Sequence, residues 1–526
     1  MGQIAYRANL SAKSFPFITD FQGQTIVVPG PDNTFNRSLT STEDQDKDVG
    51  IPTIFYCHNV LPAPYGFNSV GYEQLIPALA NVTTFSSAKI LRSNSISATV
   101  SGPKFYFAPQ QSGTHYVFLV GGAAWVPVSG SVPYTATTII TYATVQGISY
   151  IYFSNIGCYK YDSATNTLIL VTLSGLVAAN IVGLTAYQGY TVAYDTNNIY
   201  WSSVLDILYS TNSVDFVPSL TTGAGNIRPE GARGAITVVE PATFGIAVYT
   251  ASNVVSAVYS GNSRYPFNFK EVVASGGCTN GDFITYDANT GNQYAYTTSG
   301  FQTITATATQ TVFPELTDFL AGQDFEDFDE TTLTFNQSVL TAPMKKKLSS
   351  IADRYMVISY GISSLTHAIV YDMTQKRYGK LKLDHKDCFE FEYLDPALAD
   401  APRRSIAFLK PNGQVVVLNP SVTFGQSKGV ILLGKYQYVR ERLLQLEEVT
   451  MQTVHPNQSA TLYALTSITG GTLDSTKRTQ GYESSVSGQF MRTYNFDVVG
   501  VNFSLLIVGG FFLSSLSMKF HIHGKT

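Results

Sequence analysis

Two groups of side chains in this sequence have types and spacing that could bind a metal ion. His521 and His523 alternate near the C-terminus, so on a strand they would share one face. The run DQDKDVG at residues 44–50 begins like a calcium-binding loop, which needs Gly at position 6 and a bidentate Glu at position 12. Here Val49 and Phe55 stand at those two positions, and no third ligand accompanies the histidines. We therefore expect a solvated acidic loop, an exposed histidine pair and no metal.

Catalytic motifs are missing from the sequence. It contains no GxSxG nucleophile elbow, no P-loop and no HExxH zinc motif. Glycoside hydrolysis needs two carboxylates that distant strands can contribute, and nothing in the sequence marks such a pair. The sequence therefore predicts no catalytic residue, no cofactor-binding residue and no metal ligand, and we expect a protein that is not an enzyme.

A second acidic run, DFEDFDE at residues 324–330, alternates carboxylates with Phe325 and Phe328. One interpretation pairs this run with the three lysines at 345–347, in the same chain or on a neighbouring subunit. An exposed helix end explains the run equally well. Both interpretations stay open from the sequence.

The four cysteines lie about a hundred residues apart and form no CxxC motif. They are Cys57, Cys158, Cys278 and Cys388. Their spacing fits neither a disulfide framework nor a zinc site. The N-terminus lacks the basic start and apolar core of a signal peptide. We expect four buried thiols and synthesis in a cytoplasm.

Charge is scarce and unevenly distributed. Charged residues make up 13% of the chain, about half of the usual share of roughly 25%. Residues 101–230 contain three basic and five acidic side chains, and the net charge of the chain is −4. A protein that holds nucleic acid by neutralising its phosphates needs a basic stripe, so this composition argues against that mode of binding, although it leaves open a channel through which DNA slides. A neutral polar surface suits a protein packed against copies of itself, and a monomer with a neutral skin is the alternative.

Residues 498–518 carry no charge and are long enough to span a membrane. Asn502 and Ser504 nevertheless alternate with apolar neighbours at strand period. Gly509 and Gly510 interrupt the run and suit a tight turn. The segment therefore predicts a closing β-hairpin and no membrane insertion.

Short aromatic and β-branched runs, separated by turns of Asn, Asp, Gly or Ser, dominate residues 71–424 and are clearest at 194–301. Such pairs of runs are typical of β-hairpins. Seven candidate hairpins recur, and WD or Kelch signatures are missing. This repetition predicts an all-β fold with a β-propeller of six or seven blades.

Three other segments complete the predicted organisation. Residues 1–70 contain several prolines and are expected to form an extended N-terminal arm. The sequences PELTDFLAGQDFEDFDE and KKKLSSIADRY predict a partly helical insertion near 314–355. Residues 425–526 show strand-like alternation, which predicts a separate C-terminal β-sandwich.

Several of these segments resemble one protein family. IYWSSVLD, STNSVDFVPSL, residues 234–250 with the following VVSAVYSGNSRYPFNFKEVVASGGC, and the pair Gly300–Phe301 resemble the propeller of tail nozzle proteins of short-tailed bacteriophages. That family includes head–tail stabilisation proteins. The C-terminal SLLIVGGFFLSSLSMKFHIHG is similar to the closing hairpin of such phage structural proteins. The resemblance covers residues 190–310 and 430–526.

The resemblance implies a structural virion protein in a ring, with a homohexamer as the expected assembly. The ring would lie below the portal and adaptor proteins, continue the DNA channel for genome retention and ejection, and offer a docking surface for tail fibres or spikes. Viral DNA would pass without specific binding, and the family supplies no catalytic residue. A propeller tailspike that binds or degrades host surface polysaccharide is the alternative, and a cellular interaction platform is a third.

Overall fold

The computed structural model of this chain describes residues 3–9, 54–63, 66–79 and 85, and most of 89–525. Within 89–525 the longer segments outside the description are 204–211, 395–401, 420–428, 434–441, 454–459 and 468–473. The calcium-like run at 44–50 also lies outside it. The regular elements of the described residues are β-strands and two short 3-10 helices, at Ala178–Asn180 and Gly281–Phe283, and Thr317 and Leu320 are α-helical.

Forty-four strands are numbered here in chain order. The first five are β1 (Gln3–Asn9), β2 (Ile54–His58), β3 (Val60–Ala63), β4 (Gly66–Ser69) and β5 (Gly71–Ile76). The next thirteen are β6 (Leu91–Ser97), β7 (Val100–Ala108), β8 (Tyr116–Leu119), β9 (Val126–Pro127), β10 (Ile140–Val145), β11 (Ile148–Phe153), β12 (Gly157–Asp162), β13 (Thr167–Ser174), β14 (Gly183–Tyr187), β15 (Tyr190–Tyr194), β16 (Ile199–Trp201), β17 (Ser213–Asp215) and β18 (Gly225–Ile227).

The chain continues with β19 (Ile236–Ala242), β20 (Gly245–Thr250), β21 (Val254–Tyr259), β22 (Phe267–Glu271), β23 (Ile284–Tyr286), β24 (Gln293–Thr297), β25 (Gly300–Ile304), β26 (Thr309–Thr311), β27 (Asp324–Asp329), β28 (Thr334–Val339), β29 (Lys345–Ile351), β30 (Tyr355–Gly361), β31 (Leu365–Asp372), β32 (Arg377–His385), β33 (Asp387–Leu394), β34 (Pro402–Leu409) and β35 (Val415–Asn419). The last nine are β36 (Gly429–Leu433), β37 (Arg442–Thr453), β38 (Thr461–Ser467), β39 (Asp474–Arg478), β40 (Tyr482–Val486), β41 (Gln489–Gly500), β42 (Asn502–Gly509), β43 (Phe512–Leu513) and β44 (Ser515–Lys525).

Seven groups of four antiparallel strands follow one another and form the blades of a β-propeller; blades 1 and 2 are joined in one sheet by the pairing of β12 with β6, and the sheet of blade 6 continues into β3, β4 and β43. In ring order blade 1 is β6–β9, blade 2 is β10–β13, blade 3 is β14, β15, β16 and β18, blade 4 is β19–β22, blade 5 is β23–β26, blade 6 is β29–β32, and blade 7 is β33–β35 with β5. The first strands of blades 2 to 7 contact one another in sequence order, so these strands surround the axis. The all-β propeller predicted from the sequence is therefore present, with seven blades in the part of the chain described.

The ring is closed by a strand from the N-terminal side of the propeller. Strand β5 is antiparallel to β35 and supplies the outermost strand of blade 7, after which the chain continues into blade 1. Blade 7 is thus built from residues more than three hundred positions apart. Its completion requires both ends of the propeller sequence at once.

Seven apolar clusters fill the spaces between successive blades, and this explains why the second strands are almost continuously apolar. All six residues of β11 (ISYIYF) and of β20 (GIAVYT) are buried, because each of these strands is covered on both faces by adjoining blades. Cluster members from the two adjoining blades, starting between blades 1 and 2, include Phe105 with Ile151, Tyr152 with Leu184, Trp201 with Ile246, Tyr249 with Ile284, Phe301 with Leu348, Val370 with Phe408, and Phe391 with Tyr106.

Two five-stranded sheets form the second unit of the fold, and both include strands from the N-terminal residues. Their strand orders are β1-β44-β37-β41-β40 and β2-β36-β42-β38-β39. One apolar cluster contains sandwich residues such as Met451 and Ile507 together with Phe301 of blade 5 and Tyr360 of blade 6. The sandwich is therefore not formed by 425–526 alone, and it shares a continuous core with the propeller.

The predicted helical insertion near 314–355 is confirmed only at Thr317 and Leu320, which are helical, and it is wrong for residues 324–329 and 345–351. Residues 324–329 form β27, which pairs with β28, and residues 345–351 form β29, the first strand of blade 6. Most of 314–323 lies outside the description. The alternation of acids with Phe325 and Phe328 has the period of a strand, and pairing in a hairpin satisfies it.

The predicted closing hairpin is also wrong, although both of its strands exist. β42 pairs with β36 and β38 in one sheet, whereas β44 pairs with β1 and β37 in the other. Gly509, with φ of 131°, therefore precedes a crossing between sheets, where a residue without Cβ is favoured. Leu506 is fully buried. No helix in the described residues is long and apolar enough to cross a membrane.

Candidate functional site

A cavity of about 550 Å³ opens at the propeller axis, on the side where the first strands of the blades begin. Blades 1 to 5, with the segments that lead into them, contribute its lining. The lining residues are Lys89, Pro109, Gln111, 134–141, Tyr194, Thr237, Val238, Glu240 and 279–282. Its volume lies within the range of roughly 300–1,000 Å³ that small-molecule sites occupy.

Three half-buried charged groups line this axial cavity. Lys89 precedes β6 of blade 1, Glu240 lies on β19 of blade 4, and Asp282 lies in the 3-10 helix that precedes β23 of blade 5. Burial raises the pKa of Glu240, Lys89 partly opposes this, and the negative charge of Asp282 adds to it. The described lining thus carries two carboxylates and one ammonium group.

Hydroxyl and amide groups form much of the remaining wall. The Thr135 Oγ1 atom lies 2.9 Å from Thr137 Oγ1 and 3.3 Å from Thr138 Oγ1. Asn280 accepts a hydrogen bond from the Asp282 N–H at 2.9 Å through Oδ1, which starts the short 3-10 helix. Thr141 accepts from the Leu184 N–H at 2.8 Å. Asn280 and Thr141 therefore hold the backbone of the cavity wall in place, whereas Thr135 and Thr137 are exposed.

Blades 6 and 7 meet at a buried ion pair. Lys347 on β29 donates to Asp387 at the start of β33, and the other oxygen of Asp387 accepts from the Ile90 N–H at 2.5 Å. Burial works to lower the pKa of Lys347, but the negative charges of Asp387 and Asp282 outweigh it and the pKa is raised. This pair therefore ties the first strands of blades 6 and 7 to the segment that enters blade 1.

A smaller cavity of about 320 Å³ adjoins the axial one. The two share the lining residues Tyr134, Thr135, Thr137 and Thr138. The ring of Tyr134 is held from behind by His115 and Phe153, with centroid distances of 6.2 and 5.6 Å. We call the two cavities together the axial groove.

Within the acidic run at 324–330, Asp327 has partners other than the three lysines considered from the sequence. Asp327 on β27 accepts from Lys382 at 2.6 Å and lies 3.5 Å from Nε2 of His367. Both contacts hold the β27–β28 hairpin to blade 6, whereas Lys347 pairs with Asp387. The helix end that was the other interpretation is a strand.

The remaining sequence candidates do not come together in the described structure. His521 and His523 lie on β44, and their side chains are outside the description. Among the described residues no group of three or more His, Cys, Asp or Glu side chains could hold a metal ion. All four cysteines are buried and free, as predicted. Burial raises the pKa of the Cys278 thiol to about 11.

Both tryptophans of the chain are structural. Trp125 and Trp201 are buried, and their Nε1 atoms donate to the carbonyl oxygens of Gly413 and Gly223 at 2.8 Å. Neither indole ring is therefore available to stack on a sugar. In the axial groove, Tyr134 is the aromatic side chain that lines both cavities.

The sector of blades 2 and 3 contains few charged residues and exposes several large apolar side chains; we call the described residues of 156–227 the neutral sector. Its exposed large apolar side chains are Ile156, Leu170, Val177, Val217, Leu220 and Ile227, with Leu220 74% exposed. Lys160 is buried. The described carboxylates accept local hydrogen bonds: Asp162 from Thr165, Asp195 from Tyr200, and Asp215 from the Val217 N–H.

Sequence reasoning missed Lys89, Glu240 and Asp282 because no motif connects them. Each stands in or just before the first strand of its blade. Aligning the blades on their first strands is the signal that could have found them. Such an alignment requires the residue at which each blade begins, and the turn residues of the sequence alone do not give it.

No protein-family model matches this chain, and no curated protein matches it. Solved structures with similar folds include YCF48 from Cyanidioschyzon merolae (10% identity, TM-score 0.36, 67% of this chain and 99% of that one). The WD40 β-propeller domain of Doa1 has 9% identity and a TM-score of 0.36, over 66% of this chain and 97% of that one. The extracellular domain of the putative hybrid two-component system BT4673 from B. thetaiotaomicron has 9% identity and a TM-score of 0.39, over 87% and 62%. Similarity this low carries no functional argument, so the propeller assignment depends on the sheet topology.

Proposed function

We propose that this chain is a structural subunit of a short phage tail, forming a nozzle ring below the portal and adaptor proteins. Copies of the chain, expected to number six, surround a channel for genome retention and ejection and offer docking surface to fibres or spikes. The sequence resemblance to tail nozzle proteins motivates this proposal. The protein would reside in the virion and have no catalytic role.

The observation that carries the proposal is the neutral sector. A free monomer normally keeps a charged, mixed surface for solubility. Here the described acids between residues 156 and 227 accept hydrogen bonds from their own turns, and six large apolar side chains are exposed beside them. A surface with little charge and exposed apolar groups is suited to burial against another copy, because desolvating it costs little.

The DNA channel in this proposal is the lumen of the ring, not the axis of the propeller. The axial cavity holds about 550 Å³, and the side chains of Lys89, Glu240 and Asp282 line it. The major groove of B-DNA alone is about 12 Å wide, so a duplex does not fit there. Copies arranged around a common axis would leave a wider opening between them.

The test is assembly of the particle with sector variants. We expect Leu170→Glu and Leu220→Glu to leave the thermal unfolding of the isolated chain within a few degrees of wild type, because both side chains are exposed. Incorporation into particles should fall at least tenfold. Tyr265→Glu is the matched control, since Tyr265 is 65% exposed on the loop between β21 and β22, outside the sector.

Cryo-microscopy of the particle decides the assembly directly. A ring of copies below the portal is the expected result. An isolated copy, a threefold spike, or normal incorporation of both sector variants contradicts the proposal.

A tailspike that cleaves host polysaccharide is the second candidate, and one observation favours it. Glu240 and Asp282 line the same cavity, and burial raises the pKa of Glu240, as a general acid requires. Release of reducing ends from host polysaccharide by the purified protein, lost in Glu240→Gln, would establish this function. Unchanged polysaccharide would leave the nozzle as the proposed function.

A further inference from the structure

We propose that the axial groove is a binding site for a short neutral oligosaccharide. This inference goes beyond the nozzle function and does not depend on ring assembly. It begins with the size of the groove, because cavities of about 550 and 320 Å³ adjoin at four shared lining residues. A ligand with repeating polar units could contact both cavities at once.

The lining identifies the chemistry of the ligand. Small-molecule sites are usually lined mainly by apolar side chains with a few polar groups. The axial cavity has the opposite balance, with six threonines, Gln111, Asn280 and three charged groups. Hydroxyl and amide groups both donate and accept hydrogen bonds, as sugar hydroxyls do, and carboxylates accept from two of them at once.

Tyr134 supplies the one aromatic surface that both cavities share. His115 and Phe153 hold its ring, so the ring is preorganised. A rigid aromatic ring with a polar tip offers contact area to the C–H face of a sugar at low entropic cost. Its position at the junction would place it between two neighbouring sugar rings.

The charges exclude other ligand classes. Glu240 and Asp282 outnumber Lys89, so the lining repels phosphate groups and acidic sugars, and nucleic acid is disfavoured for the same reason. A calcium ion needs six to eight oxygen ligands, and the ammonium group of Lys89 opposes a cation. A neutral polyhydroxylated ligand meets none of these objections.

The experiment uses the purified full-length chain and three trisaccharides. Binding of maltotriose, of chitotriose and of a sialic acid trimer is measured by saturation-transfer difference NMR and calorimetry at pH 7.5. We expect at least one neutral trimer to bind with Kd in the millimolar range or tighter, and the acidic trimer to bind at least tenfold more weakly. No binding of either neutral trimer, or stronger binding of the acidic one, overturns the proposal.

Variants locate the site. Thr137 is exposed in the segment that both cavities share, so Thr137→Trp should fold normally while filling the groove, and it should weaken binding at least tenfold. Asp282→Asn should weaken it severalfold. Glu230→Gln removes an exposed carboxylate outside the groove and should change nothing. Unchanged affinity in Thr137→Trp would place the sugar elsewhere and overturn the assignment.

Discussion

At the scale of single residues, the molecule uses its few charges locally. Asp195 accepts hydrogen bonds from two N–H groups of its own turn and from the Tyr200 hydroxyl, which lowers the pKa of Asp195 against the effect of burial. Asp387 and Lys347 neutralise each other near the axis. These charged groups therefore fix a turn and a blade junction.

The first prediction concerns the contribution of the buried ion pair between blades 6 and 7 to the free energy of unfolding. Lys347→Met leaves the Asp387 carboxylate buried without its counter-ion, which should lower the free energy of unfolding by about 3–5 kcal/mol. Urea unfolding followed by fluorescence measures the change. Arg233→Met is the control, because its pair with Glu271 is exposed and should contribute at most about 1 kcal/mol. Equal effects of the two variants would contradict a structural role for the buried pair.

Buried histidines make stability depend on pH. Burial lowers the pKa values of His115, His367 and His385 to about 4, below the ordinary value of roughly 6.5. Between these values the unfolded chain binds more protons than the folded one, so stability is full above pH 6.5 and is lost as the pH falls toward 4. Each histidine contributes a slope of about 1.4 kcal/mol per pH unit in this window.

His385 allows this second prediction to be tested at one site. Its Nδ1 lies 2.7 Å from the Leu383 carbonyl oxygen and its Nε2 lies 2.8 Å from Ser359 Oγ, so one neutral tautomer satisfies both contacts. His385→Gln removes the titration, and the slope of stability between pH 6 and 5 should become shallower than in wild type. Chemical denaturation at both pH values gives the slope. An unchanged slope would show that His385 titrates normally in the folded protein.

At the scale of elements, strands from the N-terminal residues complete both parts of the fold. β5 closes blade 7, and β2 is an edge strand of the sandwich sheet that also contains β36. β3 and β4 extend the sheet of blade 6 and reach β43 near the C-terminus. The segment predicted as an extended arm thus contains strands that join the two units.

Truncation tests this joining role. Removing residues 1–53 deletes β1, an edge strand, and should lower the unfolding temperature only modestly. Removing residues 1–79 deletes β2 to β5 and leaves blade 7 with three strands, so cooperative unfolding should be lost. Calorimetry and limited proteolysis of the two truncated chains measure this difference. A chain beginning at residue 80 that unfolds like wild type would refute the closure by β5.

At the scale of the whole molecule, composition and cavity size both bear on DNA. The net charge is −4, and the cavity at the propeller axis is too small for a duplex. The proposed conduit therefore needs a lumen made by several copies, and it needs no grip on phosphate groups. The genome would be retained in the particle by a constriction of this lumen.

Weak DNA binding is the corresponding prediction. Fluorescence anisotropy with a labelled 20-base-pair duplex should show no binding tighter than about micromolar at physiological salt, because no basic stripe is available to release counter-ions. A basic DNA-binding protein measured under the same conditions provides a positive control for the assay. Micromolar or tighter binding by the wild-type chain would contradict the passive conduit.

The sequence by itself determined the fold class. Short aromatic and β-branched runs between turn residues can form little except paired strands, so the propeller was predictable, as was the burial of the four cysteines. Repetition at blade spacing also limited the number of blades to six or seven. These features depend on local patterns, which neighbouring residues specify.

Only the tertiary structure decided which strands pair at long range and which charges meet. β27 and β29 lie in stretches that were predicted as partly helical, and pairing with β28 and β30 makes them strands. The residue patterns of β42 and β44 are equally compatible with two paired strands of a hairpin and with two strands in different sheets. Lys89, Glu240 and Asp282 come together only because the ring brings blades 1, 4 and 5 around one axis, and a convergence of that kind leaves no mark in the spacing of residues along the chain.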